Sequence, residues 1–219
     1  MPRTIYVINP NSSHTVTAGI DAAMEPLRLP GGPRIECLTL EAGPPGIQTQ
    51  RDVESVTMPL LDLARSLEAD AAAFVIACFS DPGLHALREA SARPVFGISE
   101  SAALTALTLG QTFGVIAILK TSIPRHLRGW GAMGLRDRLA GEAAIGLNVA
   151  DLGDASTTLS RMADAGRRLI DDHGAQAIVM GCAGMASYRQ SLQQQLGVPV
   201  VEPSQAAVSM ALGRVLLGW

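Results

Sequence analysis

Short apolar runs alternate along the chain with longer segments in which apolar residues recur at helical spacing. The runs predict strands and the periodic segments predict the helices that cross between them, as in a parallel α/β protein. Predicted strands cover residues 5–8, 35–40, 73–77, 95–98, 113–119, 147–152, 177–181 and 200–201. Predicted helices cover residues 14–24, 54–68, 83–91, 101–109, 124–139, 158–173, 188–196 and 205–217.

The second half of the chain repeats features of the first. The apolar strand that leads to Cys78 recurs 104 residues later in the strand that leads to Cys182, and Ser99 matches Ser204 at an offset of 105. Several matches in one order and at nearly one offset indicate a duplication. We therefore predict two pseudo-symmetric lobes, each a four-stranded parallel sheet flanked by helices, with the active site between their facing strand ends.

Composition and charge narrow the class of protein. Of the 219 residues, 47% are hydrophobic and 17% are charged, and the net charge is −3. This balance favours a folded core and gives no electrostatic reason to expect nucleic acid or an anionic membrane as a partner. The longest apolar run, residues 71–79, is far shorter than the roughly 20 residues of a membrane span, and no signal-peptide run follows the start. We expect a soluble, cytoplasmic protein with a small-molecule partner.

The three cysteines are spaced too widely for a disulfide framework or a zinc site. Cys78 and Cys182 each follow a predicted strand, at the end of the sheet where ligands bind in parallel α/β proteins. Two thiols on opposite sides of one molecule could remove a proton from a carbon and deliver another to its other face. The alternative is that both thiols are inert core groups. Cys37 has no counterpart in the repeat and is predicted to pack in the core.

Neighbouring residues carry further expectations. A helix start near either thiol can lower its pKa from about 8.5 toward about 3.5–7.5. Asp81 is expected to cap a helix that begins at Pro82. Glu202 is likewise expected to cap a helix. Asn9 follows the first strand and is a candidate ligand residue.

The pattern alone does not decide the role of the polar residues that follow the fifth predicted strand. Lys120 and Thr121 lie at that strand's end, where Lys120 either pairs with a substrate anion or stays solvated. Arg125, His126 and Arg128, with Arg136 and Arg138, are interpreted as the solvated face of one helix. All four histidines are expected at the surface, and their spacing indicates no metal site.

Four segments together resemble the Asp/Glu/hydantoin racemase superfamily, and within it the hydantoin and allantoin racemases. The segments are Ile8-Asn9-Pro10-Asn11-Ser12, Gly43-Pro44 with Ile47, Cys78-Phe79-Ser80-Asp81-Pro82-Gly83-Leu84, and Gly181-Cys182-Ala183-Gly184-Met185. The resemblance spans nearly the whole chain. Lys120-Thr121 and Glu202-Pro203 depart from the Thr-Thr and Asp-Gly pairs that many hydantoin racemases carry at these places.

The resemblance implies cofactor-independent, metal-free racemisation, with Cys78 and Cys182 as the acid–base pair. It also implies a homo-oligomer and a carboxy-terminal helix packed on the first lobe, so lobe 1 is predicted to comprise residues 1–98 with 205–219, and lobe 2 residues 99–204. Expected substrate contacts are Asn9, Phe79, Ser80, Lys120, Thr121, Ala183 and Gly184.

The expected reaction is inversion of the stereocentre of a 5-substituted hydantoin or a related ureide such as allantoin. The presence of both Cys78 and Cys182 argues against the arylmalonate decarboxylases, which keep only the second of these cysteines. Maleate isomerases keep two cysteines, so this argument does not apply to them. Racemisation of aspartate or glutamate, decarboxylation and cis–trans isomerisation are the alternatives on this scaffold. A ligand-binding protein without catalysis is the alternative from another class.

Overall fold

Two four-stranded, all-parallel sheets form the framework of the computed structural model, which describes residues 4–219. The first sheet has the order β2-β1-β3-β4 and the second the order β6-β5-β7-β8. The strands are β1 (Thr4–Asn9), β2 (Arg34–Thr39), β3 (Ala71–Ile76), β4 (Val95–Gly97), β5 (Phe113–Ala117), β6 (Leu139–Ala144), β7 (Ala177–Met180) and β8 (Val200–Val201). Each half of the chain thus repeats one topology, and the predicted pair of pseudo-symmetric lobes is confirmed.

Helices cross between the strands and cover both faces of each sheet. They are α1 (His14–Ala23), α2 (Gln50–Ser55), α3 (Thr57–Leu67), α4 (Leu84–Ala90), α5 (Ile98–Ala106), α6 (Ile123–Ala132), α7 (Ala155–Asp171), α8 (Arg189–Leu196) and α9 (Pro203–Leu217). Short 3₁₀ turns include Val149–Gly153 and Ala183–Tyr188. No helix in the described part of the chain is long and apolar enough to cross a membrane.

One predicted strand is wrong and one predicted helix is too long. Residues 147–152 were expected to form the sixth strand, but they form a loop and most of a 3₁₀ turn, and the strand is β6 instead. Because β6 is an edge strand, it needs no continuous apolar run, and its sequence Leu-Ala-Gly-Glu-Ala-Ala gave little signal. The helix expected over 124–139 ends at Ala132, shortly before Gly134 takes a φ of 69°.

The helix that follows each sheet's last strand packs on the other sheet. Helix α9 follows β8 but places Ala207, Val208 and Ala211 against the β1 and β3 core of the first lobe. Helix α5 follows β4 and places Ala102 and Ala106 against the β5 and β7 core of the second lobe. The two helices also contact each other, so the lobes are joined by a reciprocal crossing. The residue boundaries predicted for the two lobes stay a prediction.

Candidate active site

Cys78 and Cys182 lie just beyond the carboxyl ends of β3 and β7 and line one cavity. This cavity has an empty volume of about 470 Å³, counted to its open mouth. Both cysteine residues are half-buried. The expectation that the strand ends of the two lobes meet at one pocket therefore agrees with the structure.

Burial controls the acidity of the two thiols. It raises the pKa of Cys78 to about 12, although the backbone N–H of Ser80 lowers it. Burial also raises the pKa of Cys182 to about 11, against the lowering effect of the Gly184 N–H. The expectation of lowered thiol pKa values is wrong because desolvation of the thiolate outweighs the donors at the loop. Each thiol therefore carries its proton at neutral pH in the ligand-free protein.

A carboxylate stands near each thiol and caps a helix. Asp81 accepts hydrogen bonds from Ser99 N–H and Glu100 N–H, both at 2.9 Å, at the start of α5. Glu202 accepts from Ser204 N–H at 3.1 Å and Gln205 N–H at 2.6 Å, at the start of α9. Both carboxylates thus satisfy the second and third N–H groups of equivalent helices.

These equivalent caps come from different positions in the repeat. Glu202 immediately precedes α9, and the residue that immediately precedes α5 is Gly97. A Cβ atom on Gly97 would lie 2.3 Å from Cγ of Asp81, so the Asp81 carboxylate occupies the space that a side chain at 97 would need. The cap predicted for Glu202 is confirmed. The prediction for Asp81 is wrong in its target, because α4 begins at Leu84 and Asp81 caps α5 instead.

Burial raises the pKa of both Asp81 and Glu202 to about 7, while the backbone donors at the helix starts lower it. Asp81 also has a φ of 44°, in the left-handed region that is uncommon for residues other than glycine and in which aspartate is more frequent than most. The turn that carries Cys78 is therefore tied, three residues later, to the start of α5. The negative charges of Asp81 and Glu202 raise the pKa values of Cys78 and Cys182 respectively.

Arg125 is a cation in the cavity wall that the sequence pattern assigned to a solvated helix face. Its Nε donates to Ser80 Oγ at 3.1 Å and its Nη2 donates to the Gln48 carbonyl at 3.4 Å. The guanidinium lowers the pKa of Cys78, so it is placed to support negative charge there. The solvated interpretation is wrong for Arg125 because its helix faces the first lobe, whereas Arg128 on the same helix is exposed.

His126 is a second residue of the cavity wall that the sequence pattern misplaced. It is only 5% exposed, and its Nδ1 lies 2.8 Å from Oε2 of Glu142 on β6. The other carboxylate oxygen, Oε1, accepts from Trp130 Nε1 at 2.6 Å. The ring of Phe79 packs edge-on against the imidazole at a centroid distance of 5.2 Å. The surface assignment is wrong for His126, while His14, His85 and His173 are exposed.

The expected substrate-contact residues divide into two groups. Phe79, Ser80, Ala183 and Gly184 line the cavity with the two cysteines. Lys120 and Thr121 are exposed and lie outside the cavity lining, so the solvated alternative fits Lys120.

The first-strand loop presents a different residue from the one expected. Asn9 is completely buried, and its Nδ2 donates to Asn11 Oδ1, the Ser13 carbonyl and Thr17 Oγ1. Asn9 therefore holds the loop together, while Asn11 reaches the cavity. Direct contact between Asn9 and substrate stays a prediction.

The rest of the lining is mostly apolar, with Val16, Ile47, Ile118 and Val149 around the polar groups. No aspartate or glutamate of the described residues lines it. Within residues 4–219, no three histidine, cysteine, aspartate or glutamate side chains are grouped so that they could hold a metal ion. The arrangement offers two thiols, one guanidinium, one imidazole and loop amides to a small molecule.

The known proteins with similar sequences include hydantoin and allantoin racemases, and arylmalonate decarboxylases share the fold at about 22% identity. The family model described as Asp/Glu/Hydantoin racemase matches residues 5–211. The hydantoin racemase of Paenarthrobacter aurescens is 35% identical over 220 residues, covering 98% of this chain and 92% of that protein. The hydantoin racemase of Rhizobium meliloti is 36% identical, with 98% and 88% covered. The solved allantoin racemase from Klebsiella pneumoniae has a TM-score of 0.93 and 33% identity, with 99% and 89% covered.

The raised thiol pKa values predict slow alkylation near neutral pH. Iodoacetamide should modify Cys78 and Cys182 about tenfold faster for each pH unit from about pH 7 to about pH 10, since only the thiolate reacts. Mass spectrometry of digested protein would give the rate at each site. A rate that levels off near neutral pH would show that a thiolate already exists there, and would contradict the burial argument.

Asp81 and Glu202 cap equivalent helices from different positions in the repeat. The carboxylate that caps α5 should therefore be movable from position 81 to position 97. Asp81→Ala should lower the free energy of unfolding by about 1–2 kcal/mol, because two N–H groups of α5 lose their acceptor. Gly97→Glu alone should also destabilise the protein, because its side chain meets Asp81. The double variant should be more stable than either single one. Urea unfolding measures all three, and additive losses would contradict the equivalence of the two caps.

Proposed function

This chain belongs to the Asp/Glu/hydantoin racemase family, so it is a racemase, and we propose that it inverts C5 of a 5-substituted hydantoin or a related ureide such as allantoin. The observation that carries the proposal is the pair of repeat-equivalent thiols, Cys78 and Cys182, in one cavity between the lobes. The names of the similar proteins point to the same group of substrates.

The proposed reaction needs only proton transfers. The C5–H bond of a hydantoin lies between a carbonyl carbon and a ring nitrogen, so the carbanion formed there is delocalised as an enolate. The thiolate of one cysteine takes the proton from one face, and the thiol of the other gives its proton to the opposite face. After one turnover the cysteine that began as a thiolate is a thiol, and the other is a thiolate. The reverse reaction starts from this second protonation state. Backbone N–H groups of the loop after Cys182 are the proposed donors to the enolate oxygen.

Arg125 supplies the charge balance in this proposal. Reaction requires one thiolate, and burial makes that charge costly. A guanidinium near Cys78 reduces the cost, and it does so for the enolate that replaces the thiolate during turnover. The apolar lining formed by Ile47, Ile118 and Val149 would accept the C5 substituent.

The same guanidinium favours a second candidate, racemisation of a free amino acid whose carboxylate would pair with it. A free amino acid also carries an ammonium group, and the described cavity lining contains no aspartate or glutamate to receive it. A hydantoin needs no such partner because its ring is neutral. We therefore place the cyclic substrate first and the amino acid second.

Proton NMR in deuterated buffer tests the reaction and its mechanism together. Single-enantiomer hydantoins, allantoin, aspartate and glutamate should be followed for loss of the C–H signal and of optical rotation, with the enzyme-free rate subtracted. We expect enzyme-dependent exchange that accompanies racemisation for the hydantoin class. Cys78→Ser and Cys182→Ser should each slow racemisation by at least about 100-fold, because one acid–base group is lost.

Each single variant should still exchange the proton of one enantiomer, because one face keeps its thiol. Cys37→Ser is the matched control, since Cys37 lies outside the cavity lining, and it should leave racemisation unchanged. Full racemisation in either cavity variant would contradict two-thiol chemistry. Acceleration of aspartate or glutamate alone would favour the second candidate.

Loss of the guanidinium should slow the enzyme and shift the titration of one thiol. Arg125→Met should lower kcat/KM by about 10–100-fold, or about 1.4–2.7 kcal/mol, while Arg125→Lys should keep part of the activity. The pH dependence of alkylation should move upward for Cys78 more than for Cys182, because Arg125 acts on Cys78. Arg136→Met, which removes an exposed arginine outside the cavity lining, should change neither measurement.

A further inference from the structure

We infer that His126 binds the substrate through Nε2, which accepts a hydrogen bond from a ring N–H, and that Glu142 and Trp130 are positioning residues for it. The inference rests on the proposed function and goes beyond the two thiols, because it specifies a cyclic amide as the group recognised. Three observations carry it: the hydrogen bonds of Glu142, the unpartnered nitrogen of His126, and the place of its ring beside Phe79.

Glu142 holds two side chains of one helix face. His126 and Trp130 are one turn apart on α6, so both point toward β6. One oxygen of the Glu142 carboxylate hydrogen-bonds His126 Nδ1 at 2.8 Å, and the other accepts a hydrogen bond from Trp130 Nε1 at 2.6 Å. The side chains of His126 and Glu142 are only 3% and 1% exposed. The imidazole is therefore held at one nitrogen in a fixed orientation.

Stability alone does not account for this cluster. Removing a carboxylate from water is costly, and apolar groups of the same volume often serve a core as well or better. Trp130 already packs edge-on against Phe113 in the core of the second lobe, at a centroid distance of 5.7 Å. A buried Glu142 adds little to that packing, but it does fix which nitrogen of His126 carries hydrogen.

The second nitrogen of His126 is left for the cavity. Nε2 makes no hydrogen bond with any residue in 4–219, and Ser204 Oγ is the one fully occluded side-chain nitrogen or oxygen there without a partner. Nε2 therefore retains accessible surface, and the cavity is the open space that His126 lines. Because Glu142 accepts at Nδ1, a neutral ring has its proton there and a lone pair on Nε2.

The other polar side chains of the lining already have partners inside the protein. Asn11 Oδ1 accepts from Asn9, Ser80 Oγ accepts from Arg125, and the Ser122 hydroxyl donates to a carbonyl. His126 thus brings an acceptor that is free of internal bonds. A hydantoin ring carries N–H donors beside its carbonyls, and one of them would satisfy this acceptor.

Phe79 fixes the position of the imidazole relative to Cys78. Its ring meets the imidazole edge-on at 5.2 Å and Trp130 at 6.0 Å. Phe79 directly follows Cys78 in the chain. The same stretch of backbone therefore positions both the thiol and the phenyl ring that packs against His126. The ring N–H contact would therefore orient the C5–H bond with respect to the thiol.

Imidazole nitrogen NMR of the whole protein gives a direct test. In ¹⁵N-labelled protein, His126 should show hydrogen on Nδ1 and a lone pair on Nε2. Addition of 5-benzylhydantoin should shift the Nε2 resonance in the direction of an accepted hydrogen bond. Hydrogen on Nε2 in the free protein, or bound hydantoin without a shift at Nε2, would overturn the inference.

Variants separate the contact from the fold. Glu142→Gln should raise KM about three- to tenfold, the range of a single neutral hydrogen bond, with a smaller change in kcat. Its Nδ1 resonance should change, since an amide now faces that nitrogen. Glu41→Gln is the matched control because Glu41 pairs with the exposed His14, at 3.1 Å, and it should leave KM unchanged. An unchanged KM in Glu142→Gln would also overturn the inference.

N-methylated substrates distinguish failure of this contact from failure of the proposed function. Methylation of the contacting ring nitrogen should weaken binding to the wild-type protein at least threefold, and should weaken binding to His126→Leu much less. Equal losses in both proteins would overturn the contact while racemisation stands. If the wild-type protein neither binds nor racemises any hydantoin, the proposed function fails, and the ring N–H contact fails with it.

Discussion

The reciprocal crossing of α5 and α9 is the constraint on which the site depends. Each helix follows the last strand of one sheet and covers the other sheet, so neither lobe has a complete core by itself. Alanines such as Ala102, Ala106, Ala207 and Ala211 allow the close packing that this crossing requires. Because the starts of both helices are held by carboxylates near the thiols, the packing that joins the lobes also fixes the strand ends.

The site combines a water-poor environment with groups that support charge within it. Burial raises the pKa of Cys78 and Cys182, so a thiolate at either position is a costly species. Fixed dipoles and a guanidinium offset that cost without reorganising, which water could not do. Asp81 and Glu202 oppose negative charge on Cys78 and Cys182 respectively, and Arg125 supports it on the side of Cys78. The two thiols are equivalent in the repeat but differ in their electrostatic surroundings.

The repeat and the apolar runs were enough to predict the two sheets and the paired cysteines, because both are properties of local sequence and of strand order. They could not reveal β6, whose edge position requires few large apolar residues. They also misplaced Arg125 and His126, because the polar face of a helix looks the same whether it meets solvent or a cavity. The other wall of that cavity comes from residues such as Phe79 and Ile47, far away in the chain. Asp81 was expected to cap the next helix in the chain, α4, but tertiary packing places its carboxylate at the start of α5.

The displaced cap has a consequence for the history of the two halves. In the first half the carboxylate is at 81 and the glycine at 97, and in the second the equivalent places are held by Met185 and Glu202. A recombination between the duplicated halves that fell between these two places would produce one half with two carboxylates in the same space and another with none. A crossover outside this interval would keep each carboxylate with the position that leaves room for it.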